Sequence, residues 1–457
     1  ALAAHLYEPL VCKDGEMTLR PCLALRWHNP DPLTWVFTLR PGVRFHDGHS
    51  LGSADVVATF ERLRRRPDLQ VGVYARDVDA VRALGPLQVE IRTRRPVAVL
   101  LAKLAAVAIV PSRMPAGGLD RTSCGSGPYR VRAWSPGSPI ELERNPDHWG
   151  EAPVVQRVRY LLGRSAEQAQ QDVLAGDSQL AQAASREVPA AAKTPGVRVL
   201  RRMGLFLKYL GFDLARARTP FASPPRNPFL DRRVRQAIHL AIDRRALVGR
   251  LSSYAVPARE LVPPAVFGFA PELPEPGPDT ARARELLREA GLPHGFEVTL
   301  HARALLGEAA DPLREMLAAI GVAVRVEQLG EDDFIHALED PGGRPSFFLN
   351  RYGCDTGDAS DVLEAGLHSP DPERHLGGAN AGGHRDPAFD RAVEDAAEQL
   401  DRPTRRSALQ ALLARMGEEL PWVPLYFDED VYLVRAPFSY RPRADGYLLA
   451  AEIGVEG

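Results

Sequence analysis

Apolar and polar side chains alternate along residues 34–46, "TWVFTLRPGVRFH", with a Pro-Gly turn inside the stretch and a second turn at Asp47-Gly48. That period of two predicts a β-hairpin. The pattern then changes. Ser53 precedes Val56, Val57, Phe60 and Leu63, which share one face at helical spacing, so a helix is expected that ends before Pro67. Alternation returns at "LQVEIRT" (87–93), at "YRVRAW" after the glycine-rich "SCGSGP", and in "IELERN" and "RVRYLLG". The apolar "LLAKLAAVAIV" predicts a helix ending at Pro111. Ser165 and Gln168 have the spacing of a capping box for a helix that Gly176 stops. "GVRVLRR" (196–202) and "LFLKYLGFDL" (205–214) predict two consecutive strands.

Helices and strands then take turns. Asp231 is placed to cap a helix with Val234, Ala237, Ile238, Ala241 and Ile242 on one side, and Asp243 to cap the next. A proline-rich connector (263–278) leads to the helix "TARARELLREAGL" and the strand "GFEVTLHA". "DPLREMLAAIGVAVRVEQL" predicts a helix with Pro312 in its first turn, Gly321 at its end and a strand beyond. "PSFFLNRYG" predicts a strand, "DPAFDRAVEDAAEQL" and "RRSALQALLARMGEEL" helices, and "PWVPLYFDEDVYLVR" a final strand. Such alternation implies an α/β protein with mixed sheets. At 457 residues the chain exceeds what one core organises, so two or three domains are expected.

Composition narrows the classes. A net charge of −2 gives no bulk attraction for nucleic acid or an anionic membrane. The arginine-rich "ERLRRRP" and "DRRVRQ" read as solvated helix faces. No apolar run reaches the ~20 residues that span a bilayer. The abrupt start "ALAAHLYEPL" is read as following an unseen N-terminal segment. Cys12, Cys22, Cys124 and Cys354 lack zinc-ligand spacing, and one or two disulfides are open with their pairing unassigned. No nucleophile elbow, Walker, dinucleotide or H-E-x-x-H motif occurs, so no catalytic residue and no cofactor is assigned. His46, His368, His375 and His384 are irregularly spaced and read as loop histidines without a partner, and no metal ligand is assigned.

The conspicuous chemistry is "RYGCDTGDASDVL" (351–363), with Asp355, Asp358 and Asp361 inside seven residues and no lysine or arginine following nearby. The spacing differs from an EF-hand loop. A strand runs into the cluster and a helix is expected to leave it, at "ASDVLEAGL". Asp358 or Ser360 suits the helix cap and Asp361 its first turn. Asp355 has no such job and sits at the strand's exit, where ligands of α/β lobes bind.

Six segments in register, among them "WVFTLRPGVRFHDGHSLGSADVVATFERL", "GSGPYRVRAW", "FLDRRVRQAIHLAIDRRALV" and "LPWVPLYF", make the chain resemble the extracellular solute-binding proteins of family 5, the peptide- and nickel-binding receptors of ABC importers. The resemblance implies a type II periplasmic-binding-protein clamshell of two lobes and three domains. Domain I would take residues 1–24, 123–204 and 425–457, domain II the insertion 25–122, and domain III residues 205–424, with a hinge near 200–206 and 421–428. It implies a monomer that is not an enzyme, captures a peptide or other small amine-bearing solute and delivers it to the importer's membrane subunits. The compartment would be the periplasm or cell surface, with lipid anchoring as an option. Asp355 matches the aspartate that pairs with a ligand's α-ammonium group in peptide binders. Arg303 stands nearest to their carboxylate-binding arginine, and Tyr352 and Trp422 are candidate walls. Cys354 completes the expected ligand-binding set. Capture of a metal chelate or an oligosaccharide, or a solute-sensing receptor domain, is the alternative.

Overall fold

The computed structural model describes residues 2–456 except 67, 115–123, 184–187, 252–253, 276 and 341. Pro67 and the expected domain boundary at 122/123 therefore lie outside the described residues. The chain divides into two units: residues 1–202, 398–400 and 430–457 form the first, and residues 203–397 and 401–429 the second. It passes between them inside the long strands Val197–Phe212 and Trp422–Arg435, and twice more on either side of 398–400.

The first unit is built on antiparallel sheets. One has four strands in the order Ala24–Asp31, Thr34–Leu39, Gln88–Thr93, Val78–Gly85. Trp35 lies opposite Ile91 and Phe37 opposite Val89, and these pack with Val56 and Phe60 of the helix Ser53–Arg65. The hairpin expected over residues 34–46 forms differently. Thr34–Leu39 pairs back onto Ala24–Asp31, and the Asp47-Gly48 turn closes only a bridge between Arg44 and Ser50. The upstream strand, eight residues long, offers Thr34–Leu39 a longer partner than residues 43–45 can. A second sheet joins Tyr129–Ala133, Ile140–Arg144 and Arg157–Tyr160. Cys12 and Cys22 are joined by a disulfide across the short hairpin Val11–Lys13/Leu19–Pro21.

The glycines of "SCGSGP" serve a close approach. A Cβ on Gly125 would stand 1.7 Å from the Leu6 carbonyl oxygen, and one on Gly127 2.5 Å from that of His5. Between them Ser126 donates to the buried Glu8 carboxylate (2.8 Å), which also accepts from Trp149 Nε1 and contacts His148 Nε2. Two segments distant in sequence, at 126 and at 148–149, are thus tied to one acid.

The second unit carries a mixed sheet. Phe296–Arg303 runs parallel between Val322–Leu329 and Phe347–Gly353, and Phe347–Gly353 is antiparallel to residues 206–212. The two strands expected at 196–214 are one continuous strand, because Gly204 in extended backbone does not reverse the chain. Phe212, Phe229 and Phe347 stack at its centre, with ring centroids 5.1–5.6 Å apart, against Val234 and Ile238 of the helix Arg232–Ala241. Asp231 and Asp243 accept backbone N–H groups at the helix starts as expected, and Ser165 and Gln168 form their capping box. "LLAKLAAVAIV" gives only the helix Leu100–Leu104. Among the described residues no helix is long and apolar enough to cross a membrane.

Candidate functional site

The acid cluster leaves the carboxyl end of Phe347–Gly353, whose alternation decides what each residue meets. Pairing continues one step further, the Cys354 N–H donating to the Leu205 carbonyl (3.3 Å). Residues 350, 352 and 354 therefore share one face of the strand, and 351 and 353 the other, while Asp355 lies beyond it in the turn that the Gly357 N–H closes onto the Cys354 carbonyl (2.9 Å).

The first face is covered. Trp422 is buried and stacks on the buried Tyr209 at 3.9 Å between ring centroids, with Tyr352 tilted against it at 5.4 Å. The turn of helix Asp361–Leu367 lies directly over Trp422, since a Cβ on Gly366 would come within 2.5 Å of its ring. Tyr352 donates to the Asp361 carbonyl oxygen (2.8 Å), and burial pushes its phenol well above the usual range. Cys354 is buried, and its thiol is likewise pushed well up by burial and by the neighbouring acids. Arg303, at the end of the adjacent parallel strand, donates to Asn350 Oδ1 (3.1 Å) and pairs with Glu331. Asn350 in turn donates to Tyr209 Oη (3.2 Å).

The three aspartates part company. Asp358 is buried and grips Arg405 through two hydrogen bonds of 2.6 and 2.7 Å, while its Oδ1 accepts from Ser360 N–H. The expectation of no neutralising base holds only along the sequence, because the fold brings Arg405 back across 47 residues. Neither Asp358 nor Ser360 caps the following helix by its side chain. Asp361 turns inward and accepts the Thr356 N–H (2.8 Å), and burial pushes its carboxyl up to about 7, helped by Asp358 and Glu364. Asp355 is the exposed one.

On that second face, Phe206 lies opposite Gly353 and is 41% exposed. Its ring fills the space a residue-353 side chain would take, 2.6 Å from where a Cβ would be. The Arg351 guanidinium sits over this ring, 5.2 Å from its centroid. Neither Phe206 nor Arg351 was singled out from the sequence.

Three of the four histidines are engaged rather than unbound. His368 meets the Ser369 carbonyl (2.7 Å) and Glu394 (3.1 Å), His384 the Leu367 carbonyl (3.0 Å), and His46 the Gly127 carbonyl (3.1 Å). Among the described residues no group of three or more His, Cys, Asp or Glu side chains is placed to hold a metal ion. Cys124 is half-buried, and its thiol is raised by burial and Asp47.

Residues 18–373 match the family described as bacterial extracellular solute-binding proteins, family 5 Middle. The glutathione-binding protein GsiB of Salmonella typhimurium is 26% identical over 447 residues, covering 94% of this chain and 84% of that protein. Two solved structures share the fold. HbpA2 from Haemophilus parasuis superposes with a TM-score of 0.85 at 22% identity, covering 99% of this chain and 94% of the other. The periplasmic binding protein DppA from Helicobacter pylori, in complex with the peptide STSA, gives 0.76 at 21% identity, covering 99% and 93%. These are type II periplasmic-binding-protein folds with mixed sheets, and the α/β architecture of this chain agrees with them.

Proposed function

We propose, from the premise that the chain belongs to the bacterial extracellular solute-binding proteins of family 5, that its cargo is a peptide or similar small amine-bearing solute held at Asp355. Members of this family are exported binding proteins that serve ABC importers, and no catalytic role is needed for the residues described here. One observation carries the choice of anchor. Of the three clustered acids, Asp358 is spent on Arg405 and Asp361 on a backbone N–H, and Asp355 is left exposed at the carboxyl end of a parallel strand. Ligands of open α/β sheets bind at such strand ends. A carboxylate there attracts an ammonium group.

In this reading Tyr352, Trp422 and Cys354 act from beneath, holding the strand end in place, and Arg303 orders the neighbouring strand end through Asn350. The glutathione and peptide named for the relatives both carry an α-ammonium group, which supports the same cargo class here. The chain would work as a monomer in the periplasm or at the cell surface, lipid-anchored or free, with the three-domain division expected from the sequence. Mass spectrometry of small molecules released from the purified protein by acid tests the cargo. Solutes bearing a free primary amine are expected, and a population of oligosaccharides or metal chelates would contradict the reading.

A further inference from the structure

We infer that Arg402 and Arg406 form a binding site for a phosphate monoester, their two guanidinium groups sharing one phosphoryl group. This site does not depend on Asp355. It is built around a ring. Phe267 is half-buried, and the guanidinium carbons of Arg402, Arg406 and Arg405 lie 4.9, 5.0 and 5.5 Å from its centroid. The residue that carries the ring is fixed. Its N–H donates to the Gly357 carbonyl and its carbonyl accepts from the Ala359 N–H, both at 2.9 Å. Gly268 beside it has φ +102°, and a Cβ there would come 2.9 Å from that of Ala359.

Three arginines around one ring are three like charges, and the fold neutralises one of them. Arg405 is buried and paired with Asp358, and its Nε–H donates to the Ala396 carbonyl (3.1 Å). Arg402 and Arg406 are exposed, and among the described residues neither side chain makes an ion pair or a hydrogen bond. Several other exposed arginines of this unit are paired: Arg232 with Glu419, Arg245 with Glu275 and Arg250 with Glu315. Asp401, next in sequence, is turned to the helix start, where it accepts the Thr404 N–H (3.0 Å) and hydroxyl (2.6 Å). Positions 402 and 406 are four apart on the helix Arg402–Glu419, so both side chains leave the same face. Two guanidinium groups gathered on one ring repel each other, and an anion between them reverses that repulsion. The aromatic face attracts each guanidinium without using up its N–H donors.

Arg402, Pro403 and Arg406 line an open hollow of about 390 Å³. Small-molecule sites have volumes of about 300–1,000 Å³. Charge selects the anion. A carboxylate carries one charge and is satisfied by one guanidinium fork. A phosphate monoester carries close to two charges and three terminal oxygens, enough for both forks. Backbone donors have little part in it, because Pro403 has no N–H and Asp401 takes that of Thr404. The two side chains are therefore the grip.

The test titrates the intact protein with phenyl phosphate, sulfate and acetate by calorimetry at constant ionic strength. Phenyl phosphate is expected to bind saturably at pH 7.5, at least tenfold more tightly than acetate. Its affinity should fall severalfold at pH 5, where the probe regains its second proton, while that of sulfate, doubly charged at both values, should hold. Arg402→Gln and Arg406→Gln should each weaken phenyl phosphate at least tenfold with the melting temperature unchanged. Arg65→Gln, the same loss of charge on a helix of the first unit, should bind as wild type does. Flotation with phosphatidylcholine vesicles containing phosphatidic acid separates the sources of the phosphate. Vesicle binding that both variants abolish assigns a lipid headgroup, and binding of the soluble ester without vesicle binding assigns a phosphorylated solute. Absence of saturable phenyl phosphate binding, equally tight acetate, or an affinity that survives in both variants would overturn the inference.

Discussion

At the scale of single residues, each of the three acids makes a separate prediction. Asp355→Asn removes the charge but not the shape, and should weaken amine-bearing solutes roughly a hundredfold, as expected when one partner of a desolvated charge pair is lost. Calorimetry checks the affinity, and an unchanged circular dichroism spectrum checks the fold. Arg405→Met strands Asp358 in the interior without its partner, so stability should fall by about 3–5 kcal/mol, read from the urea midpoint. Glu260 gives the pH dependence. Its Oε1 accepts the Ala270 N–H (2.6 Å), its Oε2 is buried without a hydrogen-bond partner among the described residues, and burial pushes the carboxyl from 4.5 up to about 8. The native state keeps a proton that the unfolded chain releases, so stability falls as pH rises from about 4.5 toward about 8 and levels off above. Glu260→Gln should flatten this slope, raising the melting temperature by a few degrees relative to wild type at pH 8 while changing little at pH 5. A difference of equal size at both values would contradict the assignment.

At the scale of elements, two glycines separate a fixed neighbour from one that can move. Gly366→Ala drives a methyl group into the Trp422 ring under a fixed helix, and should cost about 1–3 kcal/mol by overpacking. Gly353→Ala meets only the exposed Phe206 ring, which can swing away. Its melting temperature should stay close to wild type. The elements themselves were largely legible in the sequence. The caps at Ser165, Asp231 and Asp243 are local, set by one side chain and a backbone N–H within three residues. Pairing is not local. The strand at 34–39 chose a partner upstream, and residues 196–214 ran through as one strand, because register depends on what the sheet already offers.

At the scale of the whole molecule, the same limit governs the site. The sequence located the acid cluster and singled out Asp355, but its inventory of nearby charge stopped at close neighbours. Arg405 lies 47 residues from Asp358 and Phe206 lies 147 residues before Gly353, and only folding joins them. His368 and His384 misled for a related reason, since their rings are held by backbone carbonyls that no spacing rule reveals. The chain passes between the two units inside two strands and around 398–400.

The central claim is that a carboxylate at residue 355 greets an ammonium group. It is tested most directly by titrating wild-type and Asp355→Asn protein with trialanine and N-acetyl-trialanine. The account predicts that acetylation and the substitution each weaken binding about a hundredfold, and that combining them costs little more than either alone, because both remove the same pair. Undiminished binding of trialanine to Asp355→Asn, or fully additive losses, would contradict it.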